Sequence, residues 1–352
     1  STESSPLTGA YRKSQRRNRH RENHDRGIAG LPQKGCGKGR NMVFHVVVNP
    51  AGASGRTGKI WKRLEPVFAG SGQQYEVHYS TKDHGIAGIC HELESRYPEE
   101  CCIVTVGGDG SVNEAVNGLE HPGRILFAHI PAGSGNDLVR DMELPGNPEK
   151  IAEKILNGRV CRTCDIGEVC YEDTGRSRRF AVSCGIGFDA GICEMAGHSR
   201  YKAVLNRIGL GKLIYIASAF RMVRSQRSGS ADVILEQNGD RQEIHYRHLF
   251  LLAGMNHQYE GGGFRFSPEA DPDDGVLNLC VADPEHNRAF YRVFPFVPFG
   301  KHERFSCIHA LSGSSIEIRT GDPLWVHTDG EVERKADHIR IRFLPEKLHF
   351  LE

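Results

Sequence analysis

The residues best suited to chemistry lie in three short runs of small side chains and in one acidic turn. Gly107-Gly108-Asp109-Gly110-Ser111 follows the apolar run CCIVTV. Its three glycines let the backbone approach an anion and turn N–H groups toward it. A helix starting at Ser111 would add its positive N-terminal end. Asn49-Pro50-Ala51-Gly52, running on to Ser54-Gly55, follows VFHVVVN, and Gly133-Ser134-Gly135-Asn136-Asp137 follows ILFAHIP. Neither the G-x-x-x-x-G-K-[ST] phosphate loop nor the dinucleotide G-x-G-x-x-G pattern fits the run at 107–111. One glycine turn after a strand is commonplace. Three at the same edge of a parallel sheet make a nucleotide phosphate the leading ligand. Far along the chain, Asp329 precedes Gly330 and Glu331. Asp-Gly suits a tight turn that aims a carboxylate into a cleft, and Glu331 shares its face if the segment is extended. Adjacent carboxylates raise each other's pKa, as a base working near neutral pH requires. Taken alone, a solvated Asp-Gly turn is the plainer reading.

These loops need elements to hold them. VFHVVVN, YEVHYST, CCIVTV and ILFAHIP read as buried strands, with helices at Lys59–Phe68, His84–Arg96 and from Ser111 to Gly118. Strands alternating with helices imply parallel pairing in a doubly wound sheet. After about Asp165 the texture changes to short alternating runs such as RRFAVSCGIGF, EIHYRHLFLLAG, GVLNLCVA and HIRIRFLP. That pattern predicts an antiparallel sandwich, interrupted by a helix at about Lys212–Val223. The expected organisation is a basic leader at 1–41 and a nucleotide-binding α/β domain at 42–165. A β-sandwich substrate domain follows at 166–340, and a C-terminal segment at 341–352 returns toward the first domain. The site is expected in the cleft between the two domains.

In order and spacing, NPAGASG, VTVGGDGSVNEAVNGL and IPAGSGNDLVRDM resemble the catalytic domain of the diacylglycerol/sphingosine lipid kinases. CDIGEV, FAVSCGIGFDA, GGGFRFSPEADPDDGVLNL, GKH at 300–302 and TDGE at 328–331 extend the likeness over roughly residues 42–350. It is similar to the soluble bacterial members in particular. The resemblance implies a Rossmann-like domain akin to those of phosphofructokinases and NAD kinases, followed by the β-sandwich. It also implies transfer of the γ-phosphate of ATP to a lipid hydroxyl, diacylglycerol first among acceptors. Carried over residue by residue, nucleotide contacts fall on Asn49, Thr81, Gly107, Gly108, Asp109, Gly110, Ser111, Val112, Asn113 and Ser134. The loops themselves add Ser54 and Asn136. Asp329 is implied as general base with Glu331 beside it. Mg²⁺ is implied near Asp274, with the backbone carbonyls of Asp271 and Val276, and Asp109 supporting the metal at the phosphates. Oxygen ligands of this kind suit a hard cation, and phosphoryl transfer needs charge neutralisation, an in-line hydroxyl and a carboxylate for its proton. Ser111 and Ser134 stand where threonine is usual and keep the hydroxyl. His327 replaces a usual glutamine, which bears on the orientation of the base.

Composition limits what else the chain can be. With 38% hydrophobic and 25% charged residues it is globular. No apolar run nears the roughly 18 residues that cross a bilayer. No apolar N-terminal segment reads as a signal peptide. Eleven cysteines at irregular spacing then read as reduced thiols, and the cytoplasm is the expected compartment. The net charge of +1 conceals a basic residue 1–40 segment of +7 against −6 elsewhere. A disordered leader accounts for that segment better than a nucleic-acid-binding arm does. The aromatic stretch from Phe290 to Phe299 is an apolar face for a lipid at a membrane surface, or ordinary core. So is Leu210–Phe220, flanked by Arg200, Lys202, Arg207, Lys212, Arg221, Arg224 and Arg227. Membrane contact is expected to be peripheral and transient, and a homodimer stays open. The competing readings are an NAD kinase or other soluble-acceptor kinase sharing GGDG, and a catalytically dead lipid-binding module. The joint presence of Asp109, Asp274, Asp329 and Glu331 argues against the dead module.

Overall fold

Each apolar run that ends in a glycine turn forms a buried strand. The computed structural model describes residues 42–97, 101–133, 135–142, 144–158, 160–197, 223, 229–237 and 239–351, and the contacts below lie within the unit Asn41–Glu352. Strands β1 (Val43–Val48), β3 (Cys101–Gly107) and β4 (Leu126–Pro131) are buried nearly throughout, because helices cover both faces of their sheet. Strand β2 (Gln74–Tyr79) is a half-exposed edge. The helices are α1 (Gly52–Gly70), α2 (Ile86–Arg96), α3 (Asp109–Gly118), α4 (Asp137–Asp141) and α5 (Pro148–Leu156). Trp61, Leu64 and Phe68 of α1, with Ile151 and Ile155 of α5, pack on one face against Val46, Val104 and Ile130. Ile89 and Leu93 of α2, with Val112 and Val116 of α3, cover Val47, Ile103 and Phe127 on the other. Helix α3 begins two residues before the sequence expectation, so Asp109 sits in its first turn, where the helix dipole favours an anion.

The second sheet is antiparallel. Its strands are β6 (Gly167–Tyr171), β7 (Arg176–Phe180), β8 (Ser183–Gly187), β9 (Gly229–Gln237), β10 (Asp240–Leu249), β11 (Leu251–Met255), β12 (Leu277–Ala282), β13 (Ile308–Gly313), β14 (Ser315–Thr328) and β15 (Glu331–Phe343). They run in the order β13-β12-β11-β8-β14-β15-β6-β7, with β9 on β14 and β10 on β9. Strand β14 is long enough to pair with β9 through 315–320 and with β8 through 326–328. The sheet thereby closes over Val169, Phe180, Ile186, Leu252 and Ile339. Helices α6 (Phe188–Gly197) and α7 (Phe290–Val293) lie against its outer side. The last strand, β16 (Leu348–Leu351), inserts into the first sheet, parallel to β4 and antiparallel to β5 (Val160–Cys164), in the order β2-β1-β3-β4-β16-β5. Of the helix expected at Lys212–Val223 only Val223 is described. Arg200, Lys202, Arg207, Lys212, Arg221, Arg224 and Arg227 lie outside the described residues, as does the segment 1–40. Among the described residues no helix is long and apolar enough to cross a membrane.

Candidate active site

The first sheet changes direction between β1 and β3, and the loops leaving those strands flank a crevice. After β1, Ala53, Ser54 and Gly55 all adopt left-handed backbone angles (φ 47°, 58° and 85°), and helix α1 straightens only beyond them. Asn49 steadies the entry to this turn, its Oδ1 accepting from Ala51 N–H at 3.1 Å. After β3 the Gly107 carbonyl accepts from the N–H groups of Ala132 and Gly133 at 2.6 and 3.2 Å, which ties the β3 loop to the β4 loop. Side chains have no room there: a Cβ on Gly133 would lie 2.6 Å from Gly108 Cα, and one on Gly107 would meet the Ser111 hydroxyl. Asn136, left-handed at φ 54°, holds Gly133 in both directions at 3.1 Å. Asn49, Gly108, Asp109, Gly110, Ser111 and Asn136 line a cleft of about 1010 Å³.

Two carboxylates stand at this end of the cleft. Asp109 Oδ1 accepts from Leu138 N–H at 3.4 Å. Asp137 Oδ2 accepts from Gly262 N–H at 2.6 Å, and its buried Oδ1 has no hydrogen-bond partner. Burial raises the Asp109 pKa against backbone N–H groups at 136–138 that favour the anion. Burial, with the Asp109 charge adding to it, pushes Asp137 up to about 7. Arg140 Nε lies 3.5 Å from Asp137 Oδ1 and only partly offsets that rise, and two buried carboxylates beside the glycine loops are oxygen donors of the kind Mg²⁺ takes.

The tight turn expected at Asp329-Gly330 is present, but Glu331 is not placed as an extended segment would place it. Thr328 pairs with Glu331, and Asp329 and Gly330 both have positive φ (51° and 82°), so they are the two loop residues of a tight β14–β15 hairpin. Glu331 therefore opens the next strand rather than continuing an extended run beside Asp329. Asp329 Oδ2 accepts from Asn113 Nδ2 and Ala181 N, both at 2.9 Å, and Oδ1 from Val182 N at 2.7 Å and Ser183 N at 3.0 Å. Burial raises its pKa and these four donors oppose the rise, so the cause is not Glu331, as the sequence had suggested. Asn113 corrects a second expectation. Fully buried, it spends its amide on Asp329 and on the Arg179 carbonyl at 3.0 Å, and its Oδ1 on Arg178 at 2.7 Å, and so does not face a nucleotide. Val112 likewise belongs to the core.

Phe188, Ile192, Phe264, Phe266, Phe294 and Trp325 also line the cleft, together with Asp189, Glu260, Glu331 and Glu333. Of the aromatic run 290–299, Phe290, Val293 and Val297 are core residues, Phe294 reaches the cleft, and Phe299 is 69% exposed.

Residues 43–169 match the diacylglycerol kinase catalytic domain family, and 182–352 match the YegS C-terminal NAD kinase beta sandwich-like domain. The chain belongs to the diacylglycerol kinase-like lipid kinases. It is 25% identical to a diacylglycerol kinase of Bacillus subtilis over 81% of this chain and 88% of that one. It is 26% identical to a diacylglycerol kinase of Mycobacterium tuberculosis over 65% of this chain and 70% of that one. A diacylglycerol kinase structure from Bacillus anthracis shares its fold, with a TM-score of 0.60 at 22% identity over 88% of this chain and 95% of that one.

In this lipid kinase the other predicted site residues scatter. Thr81 is exposed, its hydroxyl accepting from His84 N–H at 3.1 Å, and neither it nor exposed Ser54 lines the cleft. Ser134 lies outside the described residues. Of the four residues expected at a metal, Asp271, Asp274 and Val276 share one loop, where Asp274 N–H donates to the Asp271 carbonyl at 3.4 Å. Asp109 lines the cleft, whereas Asp271, Asp274 and Val276 do not. Within their loop Asp274 Oδ1 accepts from Val276 N–H at 2.9 Å. There the Lys347 ammonium bridges Asp165 at 3.1 Å and Asp273 at 2.8 Å. His302 is buried against the Phe266 carbonyl at 3.1 Å and cannot meet a phosphate. The sequence reading missed Asp137, Asp189 and Glu260. His327, fully buried, accepts the Gly330 N–H at Nδ1 (3.1 Å) and directs Nε2 at Asp189 (3.0 Å) and Glu260 (3.1 Å). Nδ1 is thereby taken by the hairpin and Nε2 faces the two carboxylates, whose charges raise the His327 pKa against burial. His327 thus fixes the hairpin that carries Asp329.

Proposed function

We propose that this kinase transfers the γ-phosphate of ATP to the hydroxyl of diacylglycerol, with Asp329 taking the hydroxyl proton. The observation that carries the reading is one cleft lined both by the glycine loops with their two carboxylates and by a set of aromatic side chains. The loops following β1, β3 and β4 would bind the phosphates through backbone N–H groups and the α3 N-terminus. The aromatic side chains suit acyl chains. Mg²⁺, held by Asp109 and Asp137, would neutralise charge on the phosphates. Asp329 releases Oδ2 most readily on the Asn113 side, because that amide already donates to the Arg179 carbonyl and lies 3.4 Å from the Thr328 hydroxyl. Apo hydrogen bonds of this kind commonly rearrange when substrate arrives.

The four donors on Asp329 favour a second reading. Filled lone pairs make a poor proton acceptor, and exposed Glu331 in the same cleft would then be the base, with Asp329 a structural clamp. The two are separated by kinetics on Asp329→Ala and Glu331→Gln. With Asp329 as base, Asp329→Ala loses at least about 10²-fold in kcat at nearly unchanged ATP affinity, and Glu331→Gln loses less. The reverse ranking assigns the proton to Glu331.

A further inference from the structure

A second group of polar side chains lies away from the cleft, at the outer edge of the first sheet. Strands β1 and β2 run parallel with His45 opposite Glu76 and Val47 opposite His78. The two-residue period of a strand puts Glu76 and His78 on one face, with His45 beside them. His45 Nδ1 lies 3.2 Å from His78 Nε2 and 3.6 Å from Glu76 Oε2, and His78 Nε2 lies 3.9 Å from that same oxygen. The point equidistant from the corners of a 3.2, 3.6 and 3.9 Å triangle is about 2.1 Å from each, which is the bond length zinc makes to histidine nitrogen and carboxylate oxygen, roughly 2.0–2.2 Å.

We propose that His45, Glu76 and His78 form a binding site for a divalent transition-metal ion, zinc foremost, with water in the fourth position. The donor set of two imidazoles and one carboxylate is one that zinc accepts. His45 is 1% exposed, its ring is stacked on Tyr97 at 4.7 Å, and its Nε2 has no partner, so all its polar bonding is on the side facing the other two ligands. Burial lowers the pKa of both imidazoles, which leaves them in the neutral form that ligates. Two neutral imidazole nitrogens 3.2 Å apart share at most one proton, whereas a cation satisfies both lone pairs together with the Glu76 charge. Glu76 is the half-exposed ligand, at 55%, and gives the ion a path from solvent. Coordination would fasten the edge strand β2 to β1, three residues before Thr81.

The full-length protein, stripped with a chelator, would be titrated with Zn²⁺ against a chromogenic zinc chelator. One equivalent should bind, and Co²⁺ in its place should show the intense visible bands of a four-coordinate ion. His78→Gln and Glu76→Gln change partly exposed residues and should each weaken zinc by more than about 100-fold, beyond what loss of an outer-shell partner costs. His78→Gln should also abolish the cobalt bands. Absence of stoichiometric binding overturns the proposal. So does unchanged affinity in either variant, which would place the ion elsewhere, for instance on the cysteines.

Discussion

Asp137 is a carboxyl held near neutrality by its surroundings. Burial first, and Asp109 second, lift its pKa from 3.8 to about 7. A carboxyl raised in the folded state favours the fold fully below its unfolded pKa, and that contribution is lost as pH rises through about 7. The metal-free protein should therefore lose stability between about pH 4 and about pH 7. Asp137→Asn keeps an oxygen for the Gly262 N–H and removes the titration. It should be the more stable protein at pH 8, by on the order of 1–3 kcal/mol, with little difference near pH 4. Thermal melts at the two pH values check this, and parallel pH slopes for the two proteins contradict it. If Mg²⁺ occupies the Asp109–Asp137 pair, adding it should shrink the difference.

Between elements, α3 is latched to the second sheet by amides. Asn113 joins Asp329 and Arg178, and Asn117 accepts the Arg179 N–H at 2.9 Å. Asn113→Ala removes one hydrogen bond each from the Arg178 guanidinium, Asp329 Oδ2 and the Arg179 carbonyl, which keep Thr328, Ala181 and Asn117 as partners. The loss should cost about 2–3 kcal/mol in a denaturant titration and lower kcat with it. An unchanged unfolding midpoint would mean the latch carries no energy. This contact shows where sequence reading stops. Parallel strands buried on both faces appear as unbroken apolar runs, so β1, β3 and β4 and their glycine loops were legible. Asn113 and Asp329 are 216 residues apart, and a motif match placed Asn113 with the nucleotide because nothing local reveals a long-range amide. Asp189 and Glu260 sit in FDA and YEGG, which carry no signature of a histidine partner. Asp329-Gly330 carried its signal, since Asp-Gly is the residue pair of a tight hairpin and the expected turn is present; only the shared face of Glu331, which needed an extended segment, did not follow.

At the scale of the whole molecule, the two sheets bring the glycine loops and a set of aromatic side chains into one cleft, and a lipid kinase must still reach its lipid. Phe299, 69% exposed with exposed Lys301 two residues on, is the described feature best placed for contact with an anionic membrane surface. Burying a phenylalanine is worth about 1.5–3 kcal/mol, so Phe299→Ser should weaken binding to phosphatidylglycerol vesicles by about tenfold or more in a sedimentation assay. Equal binding by the two proteins would remove Phe299 from the membrane contact. The central claim is that the cleft phosphorylates a lipid hydroxyl, and it is tested most directly by transfer of label from Mg·[γ-³²P]ATP. The acceptors would be micellar diacylglycerol, monoacylglycerol, phosphatidylglycerol, ceramide and sphingoid bases, alongside NAD and sugar phosphates. Label in diacylglycerol that disappears with Asp329→Ala is the predicted result. Label confined to NAD or a sugar phosphate would contradict it.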